Sequence, residues 1–159
     1  MKLAVRSLSL PIAIAALAGC IATIPVDHLG DHTRPVLVVR QGIFDTNSVD
    51  GQIYAIEILN NSTETIKYVR VRARAFNRVG DPVADSISGR IDGEGEMVGP
   101  LEPRSVNRPR WLFWYGSSIQ CAKLAELTVV WMNGTESKFE GDQLLRLIKP
   151  SEQICKRFD

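Results

Sequence analysis

Residues 65–77 read TIKYVRVRARAFN, and this stretch decides the fold class of the chain. Its small and branched apolar side chains share one parity, at Val69, Val71, Ala73 and Ala75. Its arginines share the other parity, at Arg70, Arg72 and Arg74. A period of two places successive side chains on opposite faces of a β-strand. We therefore predict a half-buried strand of an antiparallel sheet, with the apolar face in a core and the arginines toward solvent.

Further strands are predicted on both sides of this stretch. Turn residues separate them, including Asn60-Asn61 before it and Val79-Gly80-Asp81-Pro82 after it. The predicted strands are residues 35–41, 52–59, 65–77, 83–91, 110–115, 124–132 and 135–140. Residues 142–149 are predicted to form either a short helix or a last strand. Asn133-Gly134 predicts a type I′ hairpin turn.

The spacing of these segments predicts an all-β protein. About eight strands at roughly 8–12-residue intervals are typical of a two-sheet sandwich. No helical period alternates with the strands, which argues against a parallel α/β sheet. We expect one antiparallel β-sandwich domain over residues 35–159.

Strand and turn motifs between residues 52 and 104 point to a particular kind of sandwich. They are Tyr54-x-Ile56-x-Ile58-x-Asn60-Asn61-Ser62, Ile66-x-x-Val69-x-Val71, Phe76-Asn77-x-x-Gly80-Asp81-Pro82-Val83 and Gly99-Pro100-Leu101-x-Pro103. This series resembles the FxLYD-type, immunoglobulin-like modules of bacterial envelope proteins, although Arg104 stands where that family usually has glycine. The resemblance implies an immunoglobulin-like sandwich and no fixed activity, because a fold does not define a function.

The amino terminus contains a short apolar stretch that ends in a cysteine. Lys2 and Arg6 form a basic region, residues 8–16 make a largely apolar core, and Leu17-Ala18-Gly19-Cys20 follows. A basic region, a short apolar core and small residues are the order found in signal peptides. With the cysteine directly after the small residues, the segment resembles the bacterial lipoprotein signal peptide with its lipobox.

The lipobox resemblance implies a lipid anchor at Cys20. Residues 1–19 would be removed, and Cys20 would carry a diacylglyceryl thioether and an acylated amino group. Each buried methylene contributes ~0.8 kcal/mol, so several acyl chains hold a protein firmly at a membrane. Ile21 follows the cysteine, where inner-membrane lipoproteins often have aspartate, so the family rule implies the periplasmic face of the outer membrane. The alternatives are an uncleaved transmembrane helix or an ordinary secretory signal. Residues 20–34 are expected to be a tether.

The cysteine count predicts one disulfide. Of the three cysteines, Cys20 belongs to the expected anchor, which leaves Cys121 and Cys155 in an oxidising compartment. Joining them would close a loop of about 35 residues and stabilise the domain by roughly 4 kcal/mol on the chain-entropy model. Two free thiols or a metal pair are the alternatives.

The charge balance gives no reason to expect nucleic acid as a partner. The chain has 19 basic and 18 acidic residues, and removing residues 1–19 would leave one more acidic than basic residue. Such a near-neutral chain produces no strong overall field. Any electrostatic function must therefore be local.

No residue pattern predicts catalysis, a cofactor or a metal site. The only histidines, in Asp27-His28 and Asp31-His32, have helical spacing for a metal but lie in the expected tether. Asp92-Gly93-Glu94-Gly95-Glu96 places three carboxylates in a glycine-rich stretch that could bind a hard cation, but a solvated turn is the favoured interpretation. No nucleophile elbow of the G-x-S-x-G type is present.

Two surfaces are candidates for binding a partner. The arginine ladder Arg70, Arg72 and Arg74 could bind acidic groups, or it could pair with glutamates of neighbouring strands such as Glu57. The other is the aromatic strand at residues 110–115, in which Trp111, Phe113 and Tyr115 are predicted to share one face. Leu112 and Trp114 would share the opposite face, either covered by the C-terminal segment or exposed to a partner.

The sequence therefore predicts a non-enzymatic outer-membrane lipoprotein. Its expected role is to bind another envelope protein or to assist assembly, with Arg70, Arg72, Arg74, Trp111 and Trp114 as candidate contact residues. A small-ligand or ion-binding periplasmic lipoprotein is the alternative.

Overall fold

The structure is a computed structural model, and it describes residues 33–45 and 50–155. In chain order the described strands are β1 (Val36–Asp45), β2 (Gly51–Asn60), β3 (Ile66–Phe76), β4 (Asp92–Leu101), β5 (Val106–Asn107), β6 (Arg110–Tyr115), β7 (Cys121–Trp131) and β8 (Glu136–Glu140). One α-helix, α1 (Gly141–Leu147), and a 3₁₀ turn at Pro150–Glu152 follow β8. Among these residues no helix is both long and apolar enough to cross a membrane.

The strands form two antiparallel sheets. In sheet A, β2 is central, with β1 on one side and β5 and β6 in succession on the other. In sheet B the order is β4-β3-β7-β8. The chain passes between the sheets after β2, after β4 and after β6. The predicted all-β, immunoglobulin-like antiparallel β-sandwich is confirmed.

The core lies between the inner faces of the two sheets. The alternation predicted for β3 is confirmed, because Val69, Val71, Ala73 and Ala75 are all buried. From sheet A, Tyr54, Ile56 and Ile58 of β2 fill the same layer. Such interdigitation of inner faces is how a sandwich buries enough apolar surface to fold.

The sequence pattern predicts a strand at residues 83–91, between β3 and β6, and this prediction was wrong. Residues 83–91 contain a turn at residues 86–88 and no strand, and the glycine-punctuated stretch after them is β4. Gly93 and Gly95 occupy inward positions of β4, against the rings of Phe113 and Trp111. Glycine at core positions removed the apolar alternation by which a strand is recognised from sequence.

The hairpin between β7 and β8 forms as predicted, but with a different turn. Gly134 has φ of +86°, whereas Asn133 is not in the left-handed region. A type I′ turn needs positive φ at both central residues, so the type I′ prediction was wrong. The loop has four residues between the strands, with Trp131 N–H donating to Thr135 O at 2.9 Å.

The C-terminal segment packs along the β1 and β7 side of the sandwich. Residues 142–149 form mostly helix, and Leu144, Leu147 and Ile148 are buried in the core. The predicted disulfide joins Cys121 of β7 to Cys155, with their Cα atoms 5.5 Å apart. The segment is thus fixed to the sandwich by both apolar contacts and a covalent bond.

A buried polar cluster ties the same segment to both sheets. Gln41 is its centre: the Tyr54 hydroxyl donates to Gln41 Oε1 at 2.7 Å, and Leu124 N–H donates to the same oxygen at 3.0 Å. Gln41 Nε2 donates to the Glu152 carbonyl at 2.8 Å, and Gln41 N–H donates to Glu152 Oε2 at 3.1 Å. Burial raises the pKa of Tyr54, so its hydroxyl stays protonated as the donor.

Candidate partner-binding surfaces

The arginine ladder lies on the outer face of sheet B, as predicted. Strand β4 places an acidic residue opposite each arginine, in the pairs Arg70–Glu96, Arg72–Glu94 and Arg74–Asp92. The R-x-R-x-R pattern of β3 and the D-x-E-x-E pattern of β4 therefore face the same side in register. Opposite charges directly across two strands stabilise a sheet modestly.

The side-chain contacts in two of these pairs are short. Arg74 donates from Nε to Asp92 Oδ1 at 2.7 Å and from Nη2 to Oδ2 at 2.9 Å. Arg70 Nε donates to Glu96 Oε2 at 2.8 Å. The hydrogen bond from Arg74 lowers the pKa of Asp92 and raises the pKa of Arg74 itself. Asp92 therefore stays ionised as an arginine partner.

Acidic residues also flank the ladder on its other side. Arg72 Nη2 donates to Glu126 Oε2 of β7 at 2.6 Å, and Lys138 of β8 lies 3.1 Å from the same oxygen. Arg70 Nη1 lies 3.3 Å from Glu136 Oε1. Positively and negatively charged side chains are therefore interspersed on the outer face of sheet B. Glu57, expected as a neighbour of the ladder, lies in sheet A and pairs elsewhere.

The acidic stretch at residues 92–96 is a strand, so its interpretation as a solvated turn was wrong. Asp92 and Glu96 direct their carboxylates to Arg74 and Arg70 rather than toward one another. Among residues 33–45 and 50–155, no group of three or more histidine, cysteine, aspartate or glutamate side chains could hold a metal ion.

The aromatic strand β6 does not follow simple alternation. Its register with β2 pairs Gln52 with Trp114 but Ile53 with Leu112, so Phe113 is an extra residue at a β-bulge. The bulge turns both Trp111 and Trp114 inward. The sequence pattern placed Trp114 on the face opposite Trp111, Phe113 and Tyr115, and that prediction was wrong.

The core position of Trp114 leaves it no surface for a partner. It is completely buried, and its indole N–H donates to the Ile91 carbonyl at 3.0 Å. Trp111 is partly buried and stacks on Phe113 with ring centroids 5.6 Å apart. Trp111 and Trp114, both predicted to contact a partner, therefore pack in or against the core.

Leu112 is the large apolar residue of β6 that faces solvent, with 48% of its surface exposed. The C-terminal segment does not cover it, because α1 contacts β1, β7 and β8 instead. Leu112 lies in one row across sheet A with Ile53 of β2 and Phe44 of β1. We call Phe44, Ile53 and Leu112 the apolar row.

A basic groove adjoins the apolar row on the outer face of sheet A. Its volume is about 620 Å³, and it is lined by Arg40, Phe44, Ala55, Ile56, Glu57, Arg108 and Arg110. The lining residues thus carry three guanidiniums and one carboxylate. We call this feature the sheet A groove.

Two arginines of the sheet A groove are held by specific contacts. The Arg110 guanidinium carbon lies 5.5 Å from the centre of the Phe44 ring, within cation–π distance. Arg108 lies against Glu57, with Nε to Oε2 at 3.0 Å and Nη2 to Oε1 at 3.2 Å. The hydrogen bond to Glu57 raises the pKa of Arg108. Both arginines are therefore held in place on the outer face of sheet A.

Sequence reasoning missed the sheet A groove. The pattern Arg108-Pro109-Arg110 before an aromatic run was visible, but its neighbours come from β1 and β2, far away in the chain. The expected anchor Cys20 and both histidines, His28 and His32, lie outside the residues that the structure describes.

The comparisons with known proteins concern the fold. No protein-family model and no curated sequence matches the chain. Among solved structures, the chain is similar to IrmA from Escherichia coli, with a TM-score of 0.50 and 10% sequence identity, over 75% of this chain and 92% of that chain. At this identity the likeness shows a shared β-sandwich fold.

Proposed function

We propose that this protein is a non-enzymatic outer-membrane lipoprotein that binds another envelope protein as an assembly or scaffolding module. The lipobox-like Leu17-Ala18-Gly19-Cys20 supports the anchor, and residues 20–34 would be the tether. The disulfide between Cys121 and Cys155 supports an oxidising compartment.

The observation that carries the binding role is the outer face of sheet A. There, the apolar row lies next to the arginines of the sheet A groove, and Leu112 is half exposed. Aromatic residues and arginine are enriched in protein interfaces, where an apolar centre is bordered by polar groups. The sheet supplies a rigid support, so binding would cost little ordering of the backbone.

Site-specific photocrosslinking in the envelope tests this role. A photoreactive amino acid replaces Leu112 in sheet A, and in the control chain it replaces Val98, which is 68% exposed in sheet B. We expect one defined crosslinked protein from position 112 and none from position 98. Capture from position 98 alone would move the binding surface to the arginine ladder. Capture from neither position, in cells that make the protein normally, would contradict a protein-binding role for both sheet faces.

The anchor has its own test. Cys20→Ser removes the thiol that would accept the lipid, and we expect the variant to leave the membrane fraction after carbonate washing. Cys121→Ser is the control, because it removes a cysteine and breaks the disulfide but keeps Cys20, so it should stay in the membrane fraction. If the Cys20→Ser variant stays fully membrane-bound, the protein is anchored by other means.

A further inference from the structure

The outer faces of the two sheets differ in their balance of charge. On sheet B the arginine ladder is flanked by acidic residues from both neighbouring strands. The lining of the sheet A groove has three arginines and one carboxylate, that of Glu57. The ion pair of Glu57 with Arg108 is exposed, since the Arg108 side chain keeps 70% of its surface. Exposed pairs of this kind contribute little to stability, so Arg108 can exchange Glu57 for another carboxylate.

The positions of charge and apolar surface on sheet A follow the strand repeat. Arg110 lies opposite Ala55, and Leu112 lies opposite Ile53, so the two pairs are separated by two residues on each of these antiparallel strands. Residues two apart on one face of a strand are separated by roughly 7 Å. A ligand that matches this face therefore needs an anionic group and an apolar group about that far apart. An extended polypeptide with an acidic and an apolar side chain at alternate positions has this spacing.

The chain contains an internal example of such recognition. The acidic residues of β4 alternate with small or apolar ones, and two of them, Asp92 and Glu96, contact arginines that alternate along β3. The bidentate contact of Arg74 with Asp92 shows how a strand arginine receives a carboxylate from an extended neighbour.

We infer that the sheet A groove binds an extended acidic segment of a partner protein, with a carboxylate at Arg110 and an apolar side chain on Leu112 and the apolar row. This inference rests on the proposed protein-binding function and specifies the chemistry of the partner. The Phe44 ring holds the Arg110 guanidinium on the sheet, so less of its freedom is lost when the carboxylate binds.

Peptide binding to the full chain in neutral detergent tests the inference. The probe is a short fluorescent peptide in which glutamate and leucine alternate with threonine, and the matched peptide has glutamine in place of glutamate. We expect the glutamate peptide to bind, with an affinity that falls as salt is added. The glutamine peptide should bind at least tenfold more weakly, since it lacks the charge-assisted hydrogen bonds. Equal binding of the two peptides would overturn the inference.

Single substitutions then locate the site. Arg110→Gln should weaken the glutamate peptide about tenfold, as expected for the loss of one charge-assisted contact. Arg110→Lys, which keeps the charge without the planar fork, should have an intermediate effect. Leu112→Ser should weaken binding without changing its salt dependence. Arg70→Gln, on the opposite face, is the control and should leave binding unchanged.

Two outcomes would assign the peptide to another surface or the groove to another ligand. If Arg110→Gln binds the peptide as well as the unaltered chain does, or if Arg70→Gln weakens it equally, the groove is not the site. If vesicles containing anionic phospholipid bind in an Arg110-dependent way while the peptide does not, the groove recognises lipid headgroups and the inference is overturned. Peptide failure with an intact crosslink at position 112 would overturn the partner chemistry alone and leave the proposed protein-binding function standing.

Discussion

Gly95 of β4 faces the indole of Trp111 in β6 so closely that a β-carbon at residue 95 would lie 2.6 Å from the ring. The contact closes the sandwich at the sides of sheets A and B where β4 and β6 meet. This close approach also explains why β4 has glycines at alternate, inward positions while its carboxylates point outward.

The first prediction concerns this close approach. Gly95→Ala should lower the free energy of unfolding by about 1–3 kcal/mol, because the Trp111 ring stacks on Phe113 and cannot shift without disturbing it. Urea denaturation measures the change. Glu94→Ala, the exposed neighbour, is the control and should change stability by less than about 0.5 kcal/mol. Equal stability of both variants would mean that the two strands lie further apart than this contact requires.

The second prediction concerns the buried Gln41. Gln41→Leu removes the acceptor for the Tyr54 hydroxyl and the Leu124 N–H, so it should cost about 2–4 kcal/mol by leaving buried polar groups unsatisfied. Tyr54→Phe alone should cost less. The double variant should cost less than the sum of the two single variants, because the hydroxyl is then absent when its acceptor is removed. Strictly additive unfolding energies would contradict the hydrogen bond between these side chains.

The third prediction concerns the disulfide. In a Cys20→Ser background only Cys121 and Cys155 remain, and thiol labelling of the denatured, unreduced chain should modify neither. Reduction should lower stability by roughly 4 kcal/mol on the chain-entropy model. Two reactive thiols before reduction would contradict the bond. Cys155→Ser should destabilise the chain to a similar extent and leave Cys121 free to react.

The fourth prediction concerns the arginine ladder. Changing Arg70, Arg72 and Arg74 together to glutamine should cost no more than about 3 kcal/mol, because exposed ion pairs contribute about 0–1 kcal/mol each. Added salt should reduce the difference in stability between the variant and the unaltered chain, since the carboxylates left on this face repel one another. The variant should still crosslink its partner from position 112. Global unfolding would show that the ladder is a structural element, and loss of the crosslink would assign partner binding to sheet B.

The fifth prediction concerns acid stability and Asp85. Burial of Asp85 opposes its ionisation, but hydrogen bonds from Ser88 and from the N–H groups of Tyr115 and Ile87 outweigh that effect and lower its pKa. The folded state then binds its proton at lower pH than the unfolded state does. The ionised Asp85 carboxylate therefore contributes its full stabilisation of the folded state above the ordinary carboxyl pKa of 3.8, and this contribution is lost as the pH falls below that value.

Asp85→Asn tests the pH dependence. We expect it to destabilise the protein at neutral pH by about 1–3 kcal/mol, because the amide cannot accept all of these hydrogen bonds. The fall in stability as the pH drops below the ordinary carboxyl pKa should become shallower than in the unaltered chain, as measured by urea midpoints at each pH. Asp81→Asn, an exposed position in the preceding turn, is the control. An unchanged acid profile in the Asp85 variant would place the titrating group elsewhere.

The sequence predicted the features that depend on local pattern. The alternation around Arg72 identified a half-buried strand, and its two faces were assigned correctly because side-chain period is a property of the strand itself. The sandwich class followed from the number and spacing of such segments. The Cys121–Cys155 pair followed from counting cysteines under the assumption of an oxidising compartment.

The tertiary structure decided everything that depends on which strands are neighbours. Whether Arg74 faces a partner or Asp92 depends on the register of β3 with β4, and nothing within either strand encodes it. A single bulged residue in β6 moved Trp114 to the core and left Leu112 at the surface. The sheet A groove likewise joins Arg40 and Arg110 from strands far apart in the chain. Local residues set the faces of a strand, but only the packing of distant segments sets what each face meets.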